Sequence, residues 1–200
     1  LKERQYFESL EKAQNPKTLV VACCDSRVDP AILLHCKPGD LFVIRNVAAL
    51  VPAVTQASNP CSVMSAIEYG VKHLNVEHIV VMGHSHCGGI HGLMAPESIA
   101  GETYIQDWVG IASPALERLQ AMTGDEDEKT RSRHCEEGAV LISLDNLLSY
   151  PWIAERVKNG QLKLHALYYD LSEGNLYRFS PESEDFELLF HSEKIDVCDR

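Results

Sequence analysis

Short apolar runs constrain this chain more than any other feature. Leu19-Val20-Val21-Ala22, Leu41-Phe42-Val43-Ile44 and His78-Ile79-Val80-Val81-Met82-Gly83 are brief, apolar and closed by polar residues, the pattern of strands covered on both faces. Leu164-His165-Ala166-Leu167-Tyr168-Tyr169 supplies a fourth. Helical stretches lie between them. Asn59-Pro60 reads as the N-cap and first turn of a helix reaching about Leu74, and Ser113-Pro114 opens another. Cys135 to Leu148 is a third, interrupted at Pro151, and Gly160 follows a final helical stretch. Strands alternating with helices require parallel pairing. The turn Ser172-Glu173-Gly174-Asn175 then leads into Leu176-Tyr177-Arg178-Phe179, an antiparallel edge hairpin. The expected fold is α/β: a central, mainly parallel sheet of about four parallel strands plus an antiparallel edge strand, flanked by helices.

No repeat, low-complexity tract or linker divides the sequence, so residues 1–200 read as a single domain. The charge run Asp125 to Lys129 reads as a solvated loop. A formal net charge of -11 argues against nucleic acid or an anionic membrane as partner. No apolar run approaches the roughly 18 residues of a membrane span. The chain opens on Leu1 rather than Met, so a short N-terminal piece is expected to precede it. A cytoplasmic location is expected, or an organelle stroma or matrix if a transit peptide was removed from that piece. Seven cysteines, an odd number thinly spread, point to a reducing compartment with free or metal-bound thiols. Cys36, Cys61, Cys135 and Cys198 read as small buried hydrophobes.

In open α/β sheets the chemistry gathers at the carboxyl ends of the strands. Two strands end in unusual residues: Cys23-Cys24-Asp25-Ser26-Arg27 and His84-Ser85-His86-Cys87-Gly88-Gly89. Thiolate and imidazole are preferred zinc ligands, and three protein ligands with an open position define a catalytic site. His84 and Cys87 form an H-x-x-C pair able to chelate one ion. Strand alternation puts Cys23, Asp25 and Arg27 on one side and Cys24 on the other, so Cys23 is the expected third ligand. Gly88-Gly89 lets backbone N–H groups approach the metal at the start of a helix, a setting that favours negative charge.

Cys-x-Asp-Ser-Arg and His-x-x-Cys-Gly-Gly resemble the paired signatures of the β-class carbonic anhydrases. The likeness continues through Phe42–Ala48, Ala66–Leu74 and Cys135-Glu136-Glu137 to Tyr150-Pro151, and covers most of Gln14 to Tyr169. The plant-type branch is the more similar, because Gln14, Phe42 and Tyr69 stand where that branch carries its pocket glutamine, phenylalanine and tyrosine. The other branch has a tryptophan at the position of Val20, part of an inhibitory bicarbonate site. Cys24 and Ala49 depart from the family's frequent serine and asparagine.

The resemblance implies reversible hydration of carbon dioxide to bicarbonate and a proton by zinc-bound hydroxide, with one zinc per chain. It also implies a homodimer or larger homo-oligomer, because the family's pocket is built at a subunit boundary. Arg27 would pair with Asp25 and keep it off the metal, where it is otherwise a conditional fourth ligand. Asp25 would then orient the hydroxide. Gln14 would donate to a substrate oxygen, while Phe42, Val47, Tyr69 and Gly88 would line the pocket. Tyr69 and His73, four apart on one helix face, resemble a proton relay; His86 and His91 are secondary candidates. The alternatives are a carbonyl sulfide or carbon disulfide hydrolase on the same scaffold, or a non-catalytic zinc protein. A structural zinc would normally be closed by a fourth Cys or His, and no fourth ligand is evident from either motif.

Overall fold

In the computed structural model, which describes residues 2–57, 61–122, 124 and 126–191, one sheet organises the chain. Its strands are β1 (Thr18–Cys23), β2 (Leu41–Asn46), β3 (His78–His84), β4 (Lys163–Asp170), β5 (Asn175–Ser180) and β6 (Asp185–His191). Their spatial order is β2-β1-β3-β4-β5-β6. The first four are parallel neighbours, and β5 and β6 are antiparallel. The helices are α1 (Lys2–Leu10), α2 (Pro30–Leu33), α3 (Ser62–Lys72), α4 (Gly88–Met94), α5 (Thr103–Val109), α6 (Ser113–Ala121), α7 (Glu128–Leu148) and α8 (Pro151–Lys158).

The two faces of the sheet are covered unequally. Leu19, Val21, Ile79, Val81, Ala166 and Tyr168 pack beneath α3, α7 and α8, whose Ile67, Val71, Val140, Leu147 and Ile153 complete the main core. Val20, Ala22, Val80, Met82 and Leu167 form a smaller cluster on the reverse face, closed by Leu33, Leu34 and Leu41. Alternation along β1 therefore sends Leu19, Val21 and Cys23 towards the helices, as a period of two requires.

Several expectations change in detail. The antiparallel hairpin is extended by a sixth strand, so β6 rather than β5 is the edge. Its sequence hides it: only Phe186 is buried, Leu188, Leu189 and Phe190 are all exposed, and the register shifts at Leu176/Tyr177. The third helical stretch starts earlier, at Glu128, because the Asp127 carboxylate accepts from Thr130 N–H at 2.7 Å and caps it. The second half of the acidic run is thus helix rather than loop. Pro151 opens α8 at its first turn. Helix α3 begins at Ser62 with Cys61 at its N-cap position; the Asn59-Pro60 pair expected to open it lies outside the described residues, as does Cys198.

Candidate metal centre

Parallel pairing of β1 with β3 brings the ends of both strands to one edge of the sheet. Cys23 is the last residue of β1, His84 the last of β3, and Cys87 directly precedes α4. The thiol sulfurs of Cys23 and Cys87 and an imidazole nitrogen of His84 all lie within 4.8 Å of one another, and all three side chains are buried. Cys24 points away and is exposed. Its N–H continues the ladder by donating to Asn46 O at 2.9 Å, so the alternation persists one residue past the strand.

The donor set suits zinc. His84 Nδ1 lies 2.8 Å from Ser85 O and serves as the N–H donor there, which leaves Nε2 as a lone pair. That Nε2 is buried without a hydrogen-bond partner among the described residues. A buried, unpartnered polar atom is unfavourable, and a metal ion shared with two thiolates relieves it. The Cys23 thiol is shifted towards the thiolate, its pKa lowered from the ordinary cysteine value, with the Cys87 thiol the largest cause. His84 and the N–H groups of Asp25 and Ala48, each 3.4 Å from the Cys23 sulfur, add to this against the effect of burial. Cys87 is pushed up by the same Cys23 contact and by burial.

Asp25 faces this cluster without entering it. The Arg27 guanidinium forks onto its carboxylate, Nε to Oδ1 at 2.9 Å and Nη2 to Oδ2 at 2.7 Å, and the Arg27 N–H also donates to Oδ1. These bonds hold the Asp25 carboxyl well below the usual carboxylate range. Its Oδ2 stands 4.0 Å from His84 Nε2.

Three residues that build the site were not singled out by sequence reasoning. Arg45 donates to the carbonyls of Cys23, Asp25 and Val28, clamping the loop that carries Asp25 and Arg27. The Asn46 side chain exchanges hydrogen bonds with the Leu50 backbone, closing a 3-10 turn over Val47–Ala49 that presents Ala48 N–H to Cys23. Ala48 and Ala49 both have positive φ, 62° and 55°, the conformation that asparagine tolerates better than most residues. Glu136, from α7, accepts from Cys87 N–H at 3.0 Å. Arg45 and Asn46 end β2, the strand beside β1, so the rule that chemistry gathers at strand ends points to them too.

The remaining expected site residues divide into two groups. Val47 rests on the start of α4, where a Cβ at Gly89 would meet its Cγ1 at 2.7 Å, and Gly88 is exposed beside Cys87. Gln14, Phe42, Tyr69 and His73 lie elsewhere. Phe42 pairs with Leu19, four residues before Cys23, or about 13 Å back along the strand. Its ring stacks towards Tyr69 at 6.1 Å, and Tyr69 stacks on His73 at 5.1 Å. Gln14 is exposed ahead of β1, at the opposite end of that strand from Cys23. His86 and His91 are exposed near the cluster, with His86 Nε2 3.2 Å from Ser172 Oγ.

Residues 18–176 match the carbonic anhydrase family. The chain is 42% identical over 167 residues to beta carbonic anhydrase 5, chloroplastic, of Arabidopsis thaliana, covering 83% of this chain and 55% of that protein. It is 40% identical over 193 residues to the mitochondrial beta carbonic anhydrase 6 of the same plant, covering 96% and 66%. The chain thus spans between about half and two thirds of these curated relatives. Among solved structures, the β-carbonic anhydrase CcaA superposes with a TM-score of 0.88 at 31% identity, over 94% of this chain and 90% of that one. One of two tetrameric β-carbonic anhydrases from Sordaria macrospora gives 0.75 at 31% identity, over 90% and 88%.

Proposed function

Because this chain belongs to the β class of the carbonic anhydrase family, we propose that it catalyses the reversible hydration of carbon dioxide, using one zinc held by Cys23, His84 and Cys87. The observation that carries this reading is the buried, unpartnered Nε2 of His84, gathered with two thiols within 4.8 Å. Zinc bound there supplies a Lewis acid that makes hydroxide available at neutral pH, chemistry for which the three-histidine carbonic anhydrases are the standard example.

The chain's own residues do the rest. Asp25 accepts a hydrogen bond from the nucleophile and aims its lone pair at the carbon of the substrate. Arg27 occupies both Asp25 oxygens, which keeps the carboxylate from swinging onto the metal. Val47 and Gly88 border the reacting centre, and the 3-10 turn after β2 excludes water from the Cys23 side. Gln14, Phe42, Tyr69 and His73 act from a second copy of the chain, whose exposed β2 edge and Tyr69–His73 stack complete the pocket. Tyr69, 47% exposed, is available for that contact, and the tetrameric Sordaria relatives support an oligomer. Tyr69 and His73 then carry the released proton outward. The relatives suggest a plastid or mitochondrial location, with cytoplasm the alternative; no helix among the described residues is long and apolar enough to cross a membrane.

Stopped-flow carbon dioxide hydration, with zinc quantified on the same sample and carbonyl sulfide run in parallel, tests the reading. The expected result is one zinc per chain and turnover of carbon dioxide well above that of carbonyl sulfide. Faster turnover of the sulfide would assign the scaffold to hydrolysis of that substrate, and zinc without turnover of either would make the site structural.

A further inference from the structure

We infer that Glu136 is a positioning residue for the metal centre, its buried carboxylate holding the Cys87 N–H and thereby setting where the Cys87 thiolate points. This rests on the proposed ligation of zinc by Cys23, His84 and Cys87. Glu136 is 5% exposed. Cys87 N–H donates to its Oε1 at 3.0 Å, and the Tyr168 hydroxyl donates to its Oε2 at 2.7 Å. Both donors are neutral, so the carboxylate is buried at a desolvation cost that a smaller or apolar side chain would avoid. What the charge provides is a strong, directional hydrogen bond to one particular backbone N–H.

That N–H belongs to a peptide unit with little else to fix it. His86, immediately before, has a φ of +57°, a left-handed conformation disfavoured for a residue with a Cβ and maintained only when neighbours determine it. The His86 ring is exposed beside a cavity of about 480 Å³, with its Nε2 3.2 Å from Ser172 Oγ, so the ring is tethered at its tip but burial does not lock the turn. Hydrogen bonds hold both ends of the peptide unit instead. Arg27 Nη2 donates to His86 O at 3.2 Å, and Cys87 N–H donates to Glu136. With that plane fixed, and with Cys87 held at a φ of −72° by its place at the start of α4, where its carbonyl accepts from His91 N–H at 2.9 Å, the Cα–Cβ direction of Cys87 is fixed as well.

The fold is arranged to bring Glu136 there. Gly83, next to the end of β3, lacks the Cβ that would sit 2.5 Å from Val140 Cγ2, so α7 lies directly against the strand. Tyr168 stands opposite Gly83 in the β3–β4 register and delivers its hydroxyl to the same carboxylate.

Zinc and cobalt(II) binding by the full chain, measured by chelator competition and by thiolate-to-cobalt absorption, tests this against Glu136→Gln, Glu136→Asp and Tyr168→Phe. Glu136→Gln is expected to weaken zinc binding by about 10- to 100-fold, the usual effect of losing a partner that orients a ligand, and to shift the cobalt band. Tyr168→Phe spares the Cys87 contact and is expected to stay within about threefold of the parent. The metal-free melting temperatures of the two variants should be similar. Zinc affinity within about twofold of the parent together with an unchanged cobalt band for Glu136→Gln would overturn the inference. So would affinity losses that track melting temperature across all variants. If Glu136→Gln does not fold, Glu136→Asp, which keeps the charge but withdraws it by one methylene, decides by the same criteria. A parent that binds no zinc overturns the ligand assignment and this inference with it; a zinc-binding parent matched by Glu136→Gln overturns this inference alone.

Discussion

A single methyl at position 83 would separate α7 from β3. A Cβ built on Gly83 lies 2.5 Å from Val140 Cγ2, whereas carbon atoms in good contact stand about 3.5–4.0 Å apart. Val140 is 2% exposed and its β-branched side chain is stiff at χ1, so relieving the contact requires the helix to move by about 1 Å. Overpacking of this kind destabilises by roughly 1–3 kcal/mol. Alanine recovers about 0.5–1 kcal/mol by restricting the unfolded chain, leaving a net loss of about 0–2.5 kcal/mol. Val140→Ala alone removes two buried methyl groups and should cost about 2 kcal/mol. In the double variant the clash is absent, so its loss should fall short of the sum of the two single losses by the clash itself, about 1–3 kcal/mol. Urea unfolding of the metal-free chain measures this cleanly, because bound zinc would add its own stabilisation. Additivity within about 0.5 kcal/mol would refute the idea that this contact sets the helix–strand distance.

Four further outcomes are expected. Cys24→Ser should retain one zinc per chain by metal analysis, while Cys23→Ser, His84→Ala and Cys87→Ser should not; loss of metal from Cys24→Ser alone would reverse the assignment of the two adjacent thiols. Asp25→Ala and Arg27→Ala should keep zinc yet lose about 10²-fold or more in carbon dioxide hydration, and wild-type turnover in Asp25→Ala would remove it from the chemistry. His73→Ala should lower kcat with little change in kcat/KM, with partial rescue by imidazole buffers; an equal fall in both, without rescue, would make His73 structural. His165 is depressed below the ordinary histidine value of 6.5 by burial first, then by His78, Arg178 and Lys163, and its ring lies 3.0 Å from His78 Nδ1. Protonation therefore favours the unfolded chain, so the urea midpoint should fall as pH drops below about 6.5, and a His165→Leu variant that kept the same slope would place the effect elsewhere.

The tertiary structure separates the expected pocket into two neighbourhoods that sequence spacing could not distinguish. Phe42, Tyr69 and His73 are as near to Cys23 in the chain as many true neighbours, and Tyr69 and His73 do share a helix face and stack. What places them away from Cys23 is the parallel register: Phe42 faces Leu19, while Asn46 faces Cys23. Strand β6 is not legible in the sequence for a related reason. An edge strand with Leu188, Leu189 and Phe190 all exposed has no alternation to read, because its pairing depends on β5 rather than on a buried face of its own. The early start of α7 was masked by acidic residues that look like a solvated loop until one of them, Asp127, is seen to cap the helix.

The sequence by itself determined the layer architecture and the three candidate metal ligands. Both follow from local rules: short apolar runs make covered strands, alternation separates Cys23 from Cys24, and thiol and imidazole at strand ends select zinc. Only the tertiary structure decided what holds those ligands in place. Arg45 reaches three carbonyls of the Cys23 loop, Asn46 shapes the turn that meets the Cys23 sulfur, and Glu136 grips Cys87 from a helix 49 positions further along the chain. Each acts on backbone groups, which every residue carries alike, so no residue pattern identifies the partner. Which carbonyl or N–H a long polar side chain reaches depends on strand register and on the helix–sheet distance at Gly83, and those are fixed only when the whole sheet is assembled.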